Sequence, residues 1–186
     1  AIKVHSFGYN ASIPVLNGQE FYAFGTITSR NSDSYLTPRL PGNVANNIQV
    51  YPEGYSPLLR LRDRDWQHAA GIKGRDLAGW NWDLSTTFSR DNVDFLEDTL
   101  NASMGPNSPK KFYLGTMAFQ EWTSNLDINR ELETGLFAQP LFLAIGGEYR
   151  EDKLTITEGE PASYQDGRYS PPPGQPNAGA VLQAGA

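Results

Sequence analysis

The chain has 186 residues, of which 39% are hydrophobic and 12% aromatic, so it can bury a core and is not disordered throughout. Its net charge of −6 argues against a nucleic-acid partner, because neutralising phosphates takes a basic surface. The absence of cysteine excludes disulfides, thiolate nucleophiles and cysteine zinc sites. Low charge together with 18 glycines and 13 prolines favours strands and turns.

The ends of the sequence carry no recognisable targeting signal. Residues 1–5 lack the charged head and the continuous apolar core of a secretory signal peptide. The longest apolar-leaning stretches, such as 136–147, are much shorter than the roughly 20 residues of a spanning helix. Membrane residence is therefore expected only through β-strands. The strand-like start and the Pro-rich, open end predict that this chain is a piece of a larger protein.

The first predicted strands flank the strongest hairpin signal in the chain. Residues 2–15 and 20–30 lie on either side of Asn17-Gly18, which tolerate the positive φ angles of a type I′ turn. Both faces of the second strand are partly apolar, so the sequence does not decide which face meets lipid. From 31 to about 65 the periodicity is lost among Asn, Ser, Pro and Gly. This predicts a long loop, and loops of that length are usually functional or disordered.

The clearest alternation follows a predicted short strand at 66–74 and a turn at 76–79. In an extended strand one face would carry Trp80, Trp82, Leu84, Thr86 and Phe88, while the other would be uncharged or acidic. After an irregular stretch at 97–108, residues 120–132 repeat the pattern with Trp122, Ser124, Leu126 and Ile128. Residues 134–140 turn the chain, 141–158 form the last predicted strand, and another long loop follows residue 160.

The connections alternate between short and long. Tight turns at 17–18, 77–79 and 137–139 alternate with irregular segments at 31–65, 97–111 and 159–186. The strands over 1–160 therefore predict an all-β fold, namely antiparallel strands of a transmembrane β-barrel, about six strands of a larger barrel. Residues 161–186 are expected to be a Pro/Gly/Ala-rich loop or a disordered tail. A soluble β-sandwich or jelly roll can imitate this pattern.

The four tryptophans, Trp66, Trp80, Trp82 and Trp122, support the barrel interpretation. Each is predicted near a strand end, where amphipathic rings form an aromatic girdle at a membrane interface. The alternative is a stacking platform for sugars in a soluble binding module.

Catalytic and metal-binding motifs are missing. The sequence has no phosphate-binding loop, no zinc-hydrolase motif and no serine elbow, so we predict no enzyme, no cofactor and no metal site. The lone histidines His5 and His68 are more often structural than metal ligands.

Two acidic clusters have ordinary explanations. The first lacks the spacing of a calcium loop, so a solvated strand end is favoured over a calcium site; it comprises Asp91, Asp94, Glu97 and Asp98. The second interleaves carboxylates with arginines and predicts local ion pairs; it comprises Asp63 and Asp65 with Arg60, Arg62 and Arg64.

Several stretches are similar to the barrel of TonB-dependent outer-membrane receptors. These are 24–30, followed by Tyr35 and Pro38-Arg39, then 79–90, 99–103, 125–130, 141–150 and 159–164. The resemblance covers nearly the whole chain. It implies a location in the outer membrane of a Gram-negative bacterium and energised uptake of a scarce nutrient such as a ferric siderophore, cobalamin or a carbohydrate.

The resemblance also implies partners. They are outer-membrane lipid, the rest of the barrel with its plug domain, a TonB-type energy transducer that acts through the plug, and a small nutrient ligand. The sequence departs from the family pattern, since it shows no plug, no transducer-contacting segment near its start and no terminal aromatic residue at Ala186.

Ligand contacts are predicted in the 31–65 loop. Arginines there would hold an anionic ligand and tyrosines would stack on it, which makes the candidates Arg39, Tyr51, Tyr55, Arg60 and Arg62. The main competing function is a soluble β-sandwich module that binds carbohydrate; a β-rich hydrolase is disfavoured because no nucleophile or acid pair stands out. One set of residues should form an exposed apolar band in a barrel and a buried core in a sandwich, namely Leu84, Phe88, Leu126, Ile128, Leu143 and Ile145.

Overall fold

The computed structural model describes residues 1–15 and 18–186; for Asp76 it describes the backbone and not the side chain. Its strands are β1 Ile2–Pro14, β2 Glu20–Tyr35, β3 Leu58–Leu77, β4 Trp80–Asp98, β5 Phe112–Leu132 and β6 Leu141–Glu158. Each strand pairs antiparallel with the next in the chain. Two 3-10 helices, Ala102–Asn107 and Pro161–Ser163, lie in the connections. The fold is therefore all-β with six antiparallel strands, as the alternating pattern predicts, and within the described residues the strands form one sheet that is not closed into a barrel.

The short connections lie at one end of the sheet. Pro14 pairs with Glu20, which closes the predicted first hairpin, although Asn17 of its turn lies outside the described residues. The β3–β4 turn has φ angles of 52° at Ala78 and 82° at Gly79, and two positive values are what a type I′ turn requires. The third short connection joins β5 to β6.

The strands reach further toward the long connections than the sequence pattern predicts. The loop expected at 31–65 is confined to 36–57, because β2 continues to Tyr35 and β3 begins at Leu58. The irregular stretch expected from 97 likewise begins after Asp98. The extension of β2 is polar apart from Tyr35, and that of β3 mixes leucines with arginines and aspartates, so neither has the continuous apolar face by which a strand is recognised in a sequence.

Ion pairs across strands accompany the extensions. Arg62 lies 3.1 Å from Asp33 on β2, and Arg64 lies 2.9 Å from Asp94 on β4. The local pairs expected with Asp63 and Asp65 do not form, because adjacent residues of a strand point to opposite faces. Asp63 instead pairs with Arg30 of β2 at 2.5 Å, on the other side of the sheet.

The register sorts the side chains of the sheet into two faces. One row across five strands is apolar throughout and consists of Ile13, Phe21, Ile72, Leu84 and Leu126. We call the face to which this row points the apolar face. The neighbouring row points to the other side, which we call the polar face, and consists of Ser12, Tyr22, Gly71, Ser85, Asn125 and Glu148. The register thus shows which side of β2 belongs to the apolar face, namely the side that carries Phe21 and Ile27.

The six residues chosen to distinguish a barrel from a sandwich all lie on the apolar face. Trp82, Ile128 and Ile145 share one row, and Leu84 and Leu126 share the next row on the same face. Five of them are exposed, from 37% at Leu143 to 55% at Ile145, and the sixth, Ile128, is half-buried. Within residues 1–15 and 18–186 no second sheet covers them.

The apolar residues of this face form a band that crosses the strands obliquely. Toward the long connections the band ends at Trp66 on β3 and at Tyr149 on β6. The residue of β6 in register with Trp66 is Lys153, so on β6 the band ends four residues earlier than the register alone would give. Between β3 and β6, which are about 14 Å apart, the border of the band therefore shifts along the strand direction by about 13 Å, at about 3.3 Å per residue. This corresponds to a tilt of about 40°, or about 30° when the border is followed from Phe7 on β1.

The height of the band follows from the same spacing. On β4 the band runs from Trp80 to Phe88, which is about 26 Å along the strand at about 3.3 Å per residue. At the tilt given above, that length corresponds to a height of about 20–23 Å between the two Cα positions.

The long connections pack together at the opposite end of the sheet. We call the segments 36–57, 99–111 and 159–186 the loop cap. They contribute most of the small buried core, namely Ala45, Leu100, Ala102 and Leu182 with Phe112 of β5. The amide of Gln183 donates to the carbonyl oxygen of Val44 at 2.9 Å, and that of Ser103 donates to Gln183 at 3.1 Å. The segment 161–186, expected as a loop or a disordered tail, is therefore a loop that covers the other two segments.

Candidate functional site

Three of the five predicted ligand residues lie together in the loop cap. The backbones of Arg39 and Tyr55 form a bridge, with N···O distances of 2.7 and 3.0 Å. The rings of Tyr51 and Tyr55 stack with their centroids 4.5 Å apart and their planes at 27°. Residues separated by up to 16 positions thus form one small surface, which we call the tyrosine site.

The two tyrosines have different environments. The hydroxyl of Tyr55 lies 3.2 Å from both the carbonyl oxygen of Ala45 and Oγ1 of Thr99, and it accepts from the amide of Leu100 at 3.3 Å. Tyr55 therefore holds two segments of the loop cap together. Tyr51 is half-buried, and this burial is the main cause that raises the pKa of its hydroxyl. The nearby Tyr55 and Asp98 raise that pKa further. Its ring is neutral at physiological pH and is the part of the site that can stack on a ligand.

Lys110 belongs to the same site, although no pattern in the sequence pointed to it. Its Nζ lies 5.4 Å from the centroid of the Tyr51 ring, within the range of a cation–π interaction. No motif links these two residues, because each lies in a segment that the sequence predicts to be irregular, and a lysine in such a segment is common. Only the folding of the 99–111 segment against the 36–57 segment brings them together.

The charge of Arg39 is directed toward a buried carboxyl group. Glu97 is only 6% exposed, and burial raises its pKa, while the charge of Arg39 and a hydrogen bond from Thr99 act in the opposite direction. Nε of Arg39 is buried and has no hydrogen-bond partner among the described residues. Arg39 therefore stabilises the base of the site and is less available to an anionic ligand than the sequence predicts.

Arg60 and Arg62 are not part of the tyrosine site. Both lie on β3, not in a loop, and alternation places them on the apolar face, opposite to Glu97. Arg60 pairs with Asp98, and Arg62 pairs with Asp33. The prediction that they join Arg39 in a loop was wrong because the pattern did not reveal how far β3 extends.

The tryptophans are placed differently from one another. Trp80 and Trp82 lie near the short-turn end of β4, as predicted. Trp66 and Trp122 lie in the middle of β3 and β5, so the prediction that they lie near strand ends was wrong. Because the strands continue beyond the apolar band, these two residues mark its border toward the loop cap.

His68 belongs to an aromatic cluster at that border. Its ring lies 5.3 Å from that of Trp66 and 5.7 Å from that of Tyr9, and its Nδ1 lies 3.1 Å from the Tyr9 hydroxyl. These contacts agree with a structural histidine.

Across the described part of the chain, no group of three His, Asp or Glu side chains is placed to hold a metal ion. The described helices are all too short or too polar to cross a membrane.

Replacing Glu97 tests how the base of the tyrosine site is held. A raised pKa in the folded state means that the folded protein binds the proton more tightly, so stability is greatest at acid pH and falls as pH rises through that pKa. We expect Glu97→Gln, which mimics the protonated form, to raise the free energy of unfolding at pH 7 and to leave it unchanged well below pH 4.5. Thermal unfolding at several pH values checks this, and a loss of stability at pH 7 would contradict it.

The fold and the site together define the class of this chain as an all-β protein with a two-faced antiparallel sheet and loops gathered at one end. No protein-family model, curated protein or solved structure matches the chain at a significant level. Its function is therefore inferred from its own residues.

Proposed function

We propose that this chain is part of the barrel of a TonB-dependent outer-membrane receptor, which takes up a scarce nutrient with energy from a periplasmic transducer. The observation that carries the proposal is the oblique apolar band. Its tilt of about 30–40° is close to the 35–45° of strands in outer-membrane barrels, and its height of about 20–23 Å is close to the roughly 25 Å of their lipid-facing zone. A sandwich core needs a second sheet against the apolar face, and the described residues supply none.

The opposite face supports the same proposal. At the height of the band the polar face carries hydroxyl, amide and carboxyl groups, among them Ser85, Asn125 and Asp127. In such a barrel this face lines a wet lumen. The gathering of the long connections at one end matches the short periplasmic turns and longer extracellular loops of these proteins.

Aromatic side chains at both borders of the band add further support. Trp80 and Trp82 mark the short-turn border, and Trp66 and Trp122 mark the border toward the loop cap. Rings with one polar atom favour the level of the lipid headgroups, where the apolar body and the polar atom both find suitable surroundings.

The open edges of the sheet explain why more of the barrel is required. β1 and β6 each pair on one side only. Unpaired backbone groups are not tolerated in lipid, so we propose that further strands of the same barrel, enclosing a plug domain, pair with both edges.

An uptake assay tests the proposal. Cells with and without the gene would be given radiolabelled ferric catecholate, ferric hydroxamate, cobalamin and maltooligosaccharide. We expect uptake of one of them to depend on the gene and to stop when a protonophore collapses the proton-motive force. Recovery of the protein in the soluble fraction would contradict the proposal and favour the carbohydrate-binding sandwich.

The tyrosine site is the proposed point of contact with the nutrient. We expect Tyr51→Ala to weaken binding of the imported compound about tenfold, because an aromatic contact in a binding site is commonly worth about 1–2 kcal/mol. The matched control is Tyr164→Ala, which removes an exposed tyrosine of the same loop cap. Equal affinities for both variants, measured by binding of the labelled compound to whole cells, would remove Tyr51 from the site.

A further inference from the structure

Basic residues gather on the apolar face just beyond the band, on the side of the loop cap. They occupy the first two outward-facing positions past the border on their strands, and we call them the basic border: Lys3, Arg62, Arg64, Arg90 and Lys153. The same strip contains one carboxylate, Glu151, which accepts a hydrogen bond from Tyr149 at 3.3 Å. The chain carries a net charge of −6, so this local excess of positive charge runs against its composition.

Several of these cations lack a carboxylate partner. Arg90 donates from Nε to Oδ1 of Asn92 at 3.0 Å, and neither Arg90 nor Lys153 forms a salt bridge with any described residue. Arg64 pairs with Asp94, but its side chain is still 68% exposed. The guanidinium groups and the amine therefore face outward with donors to spare, directly above Trp66 and Phe88.

We propose that the basic border binds phosphorylated headgroups of lipids in the leaflet next to the loop cap; this inference rests on the proposed function. Acyl chains would lie against the apolar band, and the headgroup of the same lipid would then reach the level of Arg64 and Arg90. A phosphate there accepts charge-assisted hydrogen bonds from arginine in a planar, two-point geometry. Two features on one face thus match the two parts of one lipid molecule.

The test measures which lipids surround the protein. The full-length protein would be reconstituted into phosphatidylcholine vesicles that contain a trace of spin-labelled phosphatidic acid or spin-labelled phosphatidylcholine. We expect at least about fivefold preference for phosphatidic acid at low salt, since a single cation near a membrane surface contributes about that factor. The preference should fall when salt is raised, because the charges are exposed.

A triple variant locates the preference. Arg64→Gln, Arg90→Gln and Lys153→Gln together should reduce the preference severalfold, with Lys3 and Arg62 retaining part of it. The matched control removes the same charge elsewhere, by Lys73→Gln, Lys111→Gln and Arg168→Gln, and should keep it. Equal association of both labels with the unaltered protein, or an equal loss in both triple variants, would overturn the proposal and leave the receptor function standing. Failure to enter vesicles of either composition would overturn both.

Discussion

Leu84→Lys is expected to destabilise the membrane-inserted protein by about 2–4 kcal/mol, the cost of a lysine at the bilayer midplane on the lipid face of a barrel. Leu84 lies halfway along the part of the band that runs on β4 from Trp80 to Phe88, and its side chain is 50% exposed in this sheet. In the proposed barrel that exposed surface meets lipid. Urea-induced unfolding from phosphatidylcholine vesicles, followed by tryptophan fluorescence, would measure the loss.

The control for this substitution is the next residue of the same strand. Ser85 points to the polar face, in register with Gly71 and Asn125, so Ser85→Lys places the same charge at the same height in the wet lumen. In the proposed barrel this position faces the lumen, so we expect Ser85→Lys to cost less than about 1 kcal/mol, as an ordinary surface substitution does. Equal costs for the two lysines would show that the two faces do not meet different solvents, which is incompatible with the proposed barrel.

The second large effect is expected in the loop cap. Asn101 is fully buried; its Nδ2 donates to the carbonyl oxygens of Ala162 at 2.9 Å and Gln165 at 2.7 Å, and its Oδ1 accepts from Ser103 at 2.7 Å. Asn101→Ala removes this partner from the buried Ser103 hydroxyl and from the carbonyl oxygens of Ala162, which is half-buried, and Gln165, which is exposed. A buried polar group left unsatisfied costs about 1–3 kcal/mol and the two carbonyls less, so we expect the cap to lose about 2–3 kcal/mol of local stability.

Hydrogen exchange reads out that loss. The backbone amide of Gln183, which donates to Val44, should exchange on the order of 100-fold faster in the Asn101→Ala variant, because local opening becomes more frequent. Amides in the centre of the sheet should keep their rates. Asn107→Ala is the control, since Asn107 is an exposed asparagine of the same segment. An unchanged rate at Gln183 would mean that Asn101 does not hold the cap in place.

The all-β fold, the number of strands and the division of the connections into short and long could all be predicted from the residue pattern. Strict alternation at Trp80 to Phe88 and at Trp122 to Ile128 places apolar groups on one face, because the side-chain period of a strand is two residues. Positive φ at Ala78 and Gly79 shows that a turn predicted from residue types adopts the backbone that hairpins need. These are local properties, and local sequence specifies them.

Where the band ends, and which residues meet beyond it, could not be predicted without the folded arrangement. The tilt of the band depends on the register of six strands, and no single strand contains that information. The extensions of β2 and β3 accompany cross-strand pairs such as Arg62 with Asp33, whose members are far apart in sequence. The tyrosine site likewise depends on Lys110 reaching Tyr51 across two loops. In each case the deciding interaction joins distant segments, and distances between such segments exist only once the chain has folded.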